Sequence, residues 1–111
     1  MTNAWQVSTT AASHEAAVKL ASSAVREGLA ASAQILGPAT TMVWHEGEFA
    51  EIEEWQLTFM TLESRFDDLH EHLLETHAWN NPQVTAVPIV AISVDYQTWL
   101  HRTLDLGSHG E

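Results

Sequence analysis

The apolar residues change their spacing along this chain, and the order of those changes narrows its possible folds more than any other feature. Trp5, Val7 and Thr9 alternate with Gln6 and Ser8, the two-residue period of a strand. From Ser13 the period lengthens. Ala17, Leu20, Ala21, Ala24, Val25 and Gly28 recur every three or four residues, the stripe of a helix lying on a sheet. Ser13 is placed to cap that helix, with Glu15 in its first turn and Gly28 as its stop. Ala31 to Ile35 reads as a second strand, Gly37-Pro38 as an irregularity in it, and Thr40 to Trp44 as its continuation to a turn at His45-Glu46-Gly47. Glu54 to Thr61 then alternates, with Trp55, Leu57 and Phe59 on one face and Gln56, Thr58 and Met60 on the other, which completes a long hairpin.

Helical spacing returns through Leu62, Phe66, Leu69 and Leu73, predicting a helix over 62–76 with Glu63, Asp67, Asp68, Glu71 and Glu75 around its wet face. Asn80-Asn81-Pro82 breaks the chain, Val84 to Ser93 makes a last strand, and Asp95 caps a short terminal helix through Tyr96, Trp99 and Leu100. The order βαββαβ plus a C-terminal helix predicts an α+β, ferredoxin-like sandwich, one antiparallel sheet with two helices on one face. The other face has no helix left to cover it. Trp44 and Trp55, on that face or on the projecting hairpin, are candidate interface residues, and the count of elements predicts an oligomer.

The 111 residues make a single domain over 1–111. Four Lys+Arg against fifteen Asp+Glu give a net charge of -11, which repels phosphate backbones and anionic lipid heads, so neither nucleic acid nor a membrane is an expected partner. There is no Cys, which removes disulfides, thiolate metal sites and Cys nucleophiles together. Any metal must be held by N and O ligands. The first residues lack the basic and apolar regions of a leader, and the apolar stretch Val84 to Val94 is broken by Thr85, Pro88 and Ser93, so a cytoplasmic protein is expected.

Side chains that could carry chemistry are few. There is no Gly-rich phosphate loop, no His-Glu-x-x-His and no Ser in a nucleophile elbow, and the expectation is a protein that is not an enzyme. On a helix the two residues of His70-Glu-His72 point roughly 200° apart and cannot chelate one ion, whereas Asp68 and His72, four apart, share a face. Exposed histidines on an acidic helix are the plainer reading. His101 and His109 have no evident partner. Glu46, Glu48, Glu51, Glu53 and Glu54 crowd the hairpin, either as a solvated run or as a cation-attracting cluster where several hairpins converge. The five Trp residues suit a core or an interface better than a ligand cage.

Leu29 to Ala33, the Trp44-His-Glu-Gly47 turn, Glu53-Glu-Trp-Gln-Leu-Thr-Phe-Met-Thr61, Thr76-His-Ala-Trp-Asn-Asn-Pro82, Val87-Pro-Ile89 and Tyr96 to Trp99 follow one another along the chain. Taken in that order, the series is similar to the CutA family of trimeric divalent-cation tolerance proteins. The likeness runs from Val7 to Leu100, with Ser32 where the family usually has Cys, Met60 in place of a Lys and Gln83 in place of a Glu. It implies a homotrimer that binds divalent cations, Cu2+ in particular, or a small ligand, with no further cofactor required. The cleft it implies lies between subunits near His77, Glu54, Tyr96 and Trp99. Taken with the helical spacing of Asp68 and His72, the candidate metal ligands are His77, His72 and Asp68. The alternative is a scaffold like the trimeric PII-type regulators, acting through contact with a protein partner.

Overall fold

The computed structural model describes residues 2–107, and His109 lies outside them. The elements in order are β1 (Ala4–Ala11), α1 (His14–Arg26), β2 (Ser32–His45), β3 (Glu48–Leu62), a 3-10 turn (Glu63–Arg65), α2 (Phe66–Thr76), β4 (Thr85–Pro88) and α3 (Val94–Gly107). Local chemistry sets the borders. Ser13 caps α1, its Oγ accepting the Ala16 N–H at 3.1 Å. At the other end Gly28 takes φ 72, the Gly28 N–H reaches the Val25 carbonyl and the Leu29 N–H reaches the Ala24 carbonyl, each at 3.0 Å. That crossed pair is a Schellman stop, and it needs a residue at ease in the left-handed region. The hairpin turns on Glu46 and Gly47, φ 51 and 82, the pair of positive angles that matches the twist of the flanking strands.

The four strands form one antiparallel sheet in the order β2-β3-β1-β4. β1 lies between β3, with Val7 opposite Phe59, and β4, with Val7 opposite Ala86. Alternation puts Val7, Ala11, Leu57 and Phe59 on one face, where Ala17, Leu20, Ala21 and Ala24 of α1 and Leu69 and Leu73 of α2 close the main core over them. Methyl-sized side chains along α1 allow the helix to sit close on the sheet.

Four sequence expectations change. The predicted helix 62–76 begins later, because β3 runs on to Leu62 and a 3-10 turn intervenes. The last strand covers only Thr85–Pro88 of the expected 84–93, since Ile89 and Ile92 instead pack against a second cluster formed by Ala4, Ala31, Leu62, Leu100 and Leu104. The terminal helix is fourteen residues long, not short, and Asp95 lies in its first turn after Val94 rather than at its cap. Finally, α3 packs over one end of the sheet face expected to be bare, against Ala4, Met60 and Leu62.

Beyond Gln56 the β2–β3 ribbon leaves the body of the molecule, whose longest extent is 45 Å. Its register slips between Leu36 and Ala39, and Gly37 there lies against Trp55, where an added Cβ would come within 2.7 Å of the indole.

Candidate functional site

A cleft of about 540 Å³ lies between α1, the end of β1 and the segment after α2, with His77 in its lining. Ala11, Ala12, Ala16 and Leu20 form its apolar lining, with Lys19, Ser23, Thr76, His77 and Trp79 around it. Small residues make the room. Ala11 and Ala12 at the end of β1, with Ala16 and Ser23 on α1, leave this end of the groove unfilled.

His77 is fixed at the edge of the cleft. Its backbone N–H closes α2 on the Leu73 carbonyl at 2.9 Å, and φ -72, ψ 143 then turns the chain out of the helix. Its Nε2 lies 2.7 Å from the Thr10 carbonyl and its Nδ1 accepts the Trp79 N–H at 3.0 Å. A carbonyl oxygen only accepts, so the proton sits on Nε2 and the ring is neutral with both nitrogens engaged. The imidazole therefore ties the end of α2 to the end of β1 and holds Trp79, whose ring centroid is 4.9 Å away. A cap made by the side chain on the helix's own carbonyl is not what forms.

The expected metal set does not assemble within the chain. Asp68 is exposed, while His72 turns inward to Ser23, its Nε2 2.8 Å from Oγ, with the Glu27 carboxylate 3.9 Å from Nδ1. His77 faces β1 instead. Among the described residues no three His, Asp or Glu side chains come together as a metal site. Asp68 and His72 are four apart on the helix, but His72 follows Leu69 by three positions and so falls on the stripe that packs inward. That offset is the signal that could have placed it.

The four cleft residues implied by resemblance are also apart in one chain. Tyr96 and Trp99 stack on α3, ring centroids 5.4 Å apart, and α3 packs at the Ala4 end of β1, where Gln97 donates to the Thr2 carbonyl. His77 is at Thr10, the other end, six strand residues or roughly 20 Å away. Glu54 accepts from Thr41 Oγ1 at 2.9 Å, and alternation along β3 puts it on the face opposite Trp55. Trp55 itself is half-buried against its own core, with the His14 ring at 4.9 Å. Trp44, by contrast, is 74% exposed at the hairpin end, with the Phe49 ring 5.9 Å away. Sequence reasoning passed over Lys19 and Ser23 because they read as ordinary wet and small positions of α1.

Comparison with known proteins gives a consistent answer. Residues 5–103 match the model of the family described as CutA1 divalent ion tolerance protein. A rice (Oryza sativa subsp. japonica) protein named Protein CutA 1, chloroplastic, is 35% identical over 89 residues, 80% of this chain and 50% of that protein. The chain thus spans about half the length of that relative. The divalent-cation tolerance protein CutA of Citrobacter koseri is 32% identical over 95 residues, covering 86% of this chain and 83% of that one. The crystal structure of CutA1 from Oryza sativa superposes with a TM-score of 0.87 at 32% identity, over 93% of this chain and 96% of that one.

Proposed function

The chain belongs to the CutA1 divalent ion tolerance family, and from that premise we propose that it acts in divalent-cation tolerance as a non-catalytic homotrimer. Its ligand, a divalent cation such as Cu2+ or a small molecule, is held between copies and needs no further cofactor. The observation that carries this reading is the projecting hairpin. Leu36, Met42, Trp44 and Phe49 stand 57 to 74% exposed on it, an apolar ribbon that its own chain leaves open. The geometry of the site agrees. His77 and the Tyr96–Trp99 pair lie at opposite ends of β1, so a site that uses all of them draws them from different copies.

Imidazole and carboxylate ligands favour Cu(II) over Cu(I), and metal binding weakens on acidification because imidazole must be deprotonated to coordinate. The cytoplasm is the compartment we assign, in keeping with a Cys-free chain; no helix among the described residues is long and apolar enough to cross a membrane. The test is light scattering followed by isothermal titration of the assembled protein with copper, zinc and a small-ligand panel. A trimer that binds Cu2+ with at best micromolar affinity is the expected result. A stable folded monomer of 12.3 kDa would overturn the assembly, and a trimer indifferent to every ligand would leave the PII-like scaffold.

A further inference from the structure

The cleft beside His77 is built within one chain, and its polar groups define what it can hold. Ser23 gives its proton to the Leu20 carbonyl at 3.2 Å while its oxygen meets His72 Nε2 at 2.8 Å. Thr76 Oγ1 donates to the His72 carbonyl at 2.7 Å, and His77 Nε2–H is committed to Thr10. Three polar side chains of the lining thus have their protons engaged inside the protein. Lys19 does not. It is the only lysine in the sequence, it is exposed at the edge of the cleft, and it makes no hydrogen bond or ion pair among the described residues. Glu15, one turn earlier on α1, does not come within ion-pair distance of it.

The rest of the cleft is apolar and held in place. Ala11, Ala12, Ala16 and Leu20 offer an apolar lining, and Trp79 is positioned by its backbone bond to the His77 ring, itself fixed by Thr10. A volume of about 540 Å³ falls within the ~300–1,000 Å³ of small-molecule sites. A chain of net charge -11 repels simple anions, so an anion that stays must bring apolar surface with it.

We propose that this cleft binds a small carboxylate with a flat aromatic body, the carboxylate on Lys19 and the ring between Trp79 and the alanine floor. Every residue named in this site comes from one chain, and none of them is asked to hold a cation. The experiment compares 1-naphthylacetate with the neutral 1-naphthylacetamide and with acetate, by ligand-observed NMR and calorimetry on the assembled protein. Expected is saturable binding of the acid, about tenfold weaker binding of the amide, and none of acetate. Lys19→Gln should erase the preference for the acid and Lys19→Arg keep it, while Trp79→Ala should lose both aromatic ligands. Lys19 is exposed, so its variants keep the fold, checked by circular dichroism. Acid and amide binding alike, an unchanged preference in Lys19→Gln, or no binding at millimolar ligand would each overturn the proposal. Cu2+ titration of the same samples reads the cation site separately.

Discussion

The two ends of the β2–β3 ribbon obey different rules. At the body end Leu57 and Phe59 are fully buried under α1 and α2, whereas from Leu36 through Glu54 no residue is buried at all. The sequence pattern is similarly apolar in both halves, with Trp55, Leu57 and Phe59 in one and Met42, Trp44 and Phe49 in the other. The difference lies in what is available to cover them. A chain can close a core only where its own helices reach, and apolar residues beyond that reach stabilise something other than the isolated fold.

The strongest way to break this contrast is to cut into each half. Phe59→Ala should cost about 3–5 kcal/mol and unfold the chain cooperatively, because the surrounding side chains cannot collapse into the space left; denaturant melts check it, and a loss below 1 kcal/mol would mean the body is less closed than it looks. Trp44→Asp should leave the helical circular dichroism unchanged and weaken association by roughly 2 kcal/mol or more. Sedimentation at several concentrations reads that shift, and an equal loss of fold and association would erase the distinction between the halves.

Smaller changes sharpen it. His77→Ala removes the donor to Thr10 and the acceptor for Trp79, so a fall in stability of about 1–3 kcal/mol is expected with the hairpin assembly retained; a melting temperature equal to that of the parent would show that water replaces both bonds at no cost. Thr9 carries a buried hydroxyl that finds no partner among the described residues, on the helix-covered side of β1. Thr9→Val keeps the shape and removes that unpaired group, and a gain of about 1 kcal/mol is expected in urea unfolding. The same substitution should leave oligomeric state untouched.

Much of this architecture was legible because period reports burial. The two-residue alternation of Trp55, Leu57 and Phe59 and the helical stripe from Ala17 to Ala24 both follow from the face that is covered. The apolar run after Val84 misled for the same reason. Ile89 still donates its N–H to the Ala4 carbonyl at 2.8 Å, but beyond it the chain leaves β1, and Ile89 and Ile92 owe their burial to α3. The site was less legible than the fold. Ser13 and Gly28 act through their neighbours in sequence, but His77 acts through Thr10 and His72 through Ser23, partners that only the folded chain brings near. A spacing rule on one helix cannot see across to another element.

The place of β1 in the sheet also sets a timetable. It pairs Ala4 with Leu62 on one side and Trp5 with Pro88 on the other, so its ladders close only when segments far along the chain have arrived. α1 can form as soon as its own residues are free, yet the surface it needs is completed late. Such long-range pairing slows folding relative to a helical bundle of similar size. During that interval the open β2–β3 ribbon is the segment most exposed to wrong partners, so lower growth temperature and slower synthesis should favour recovery of properly folded protein.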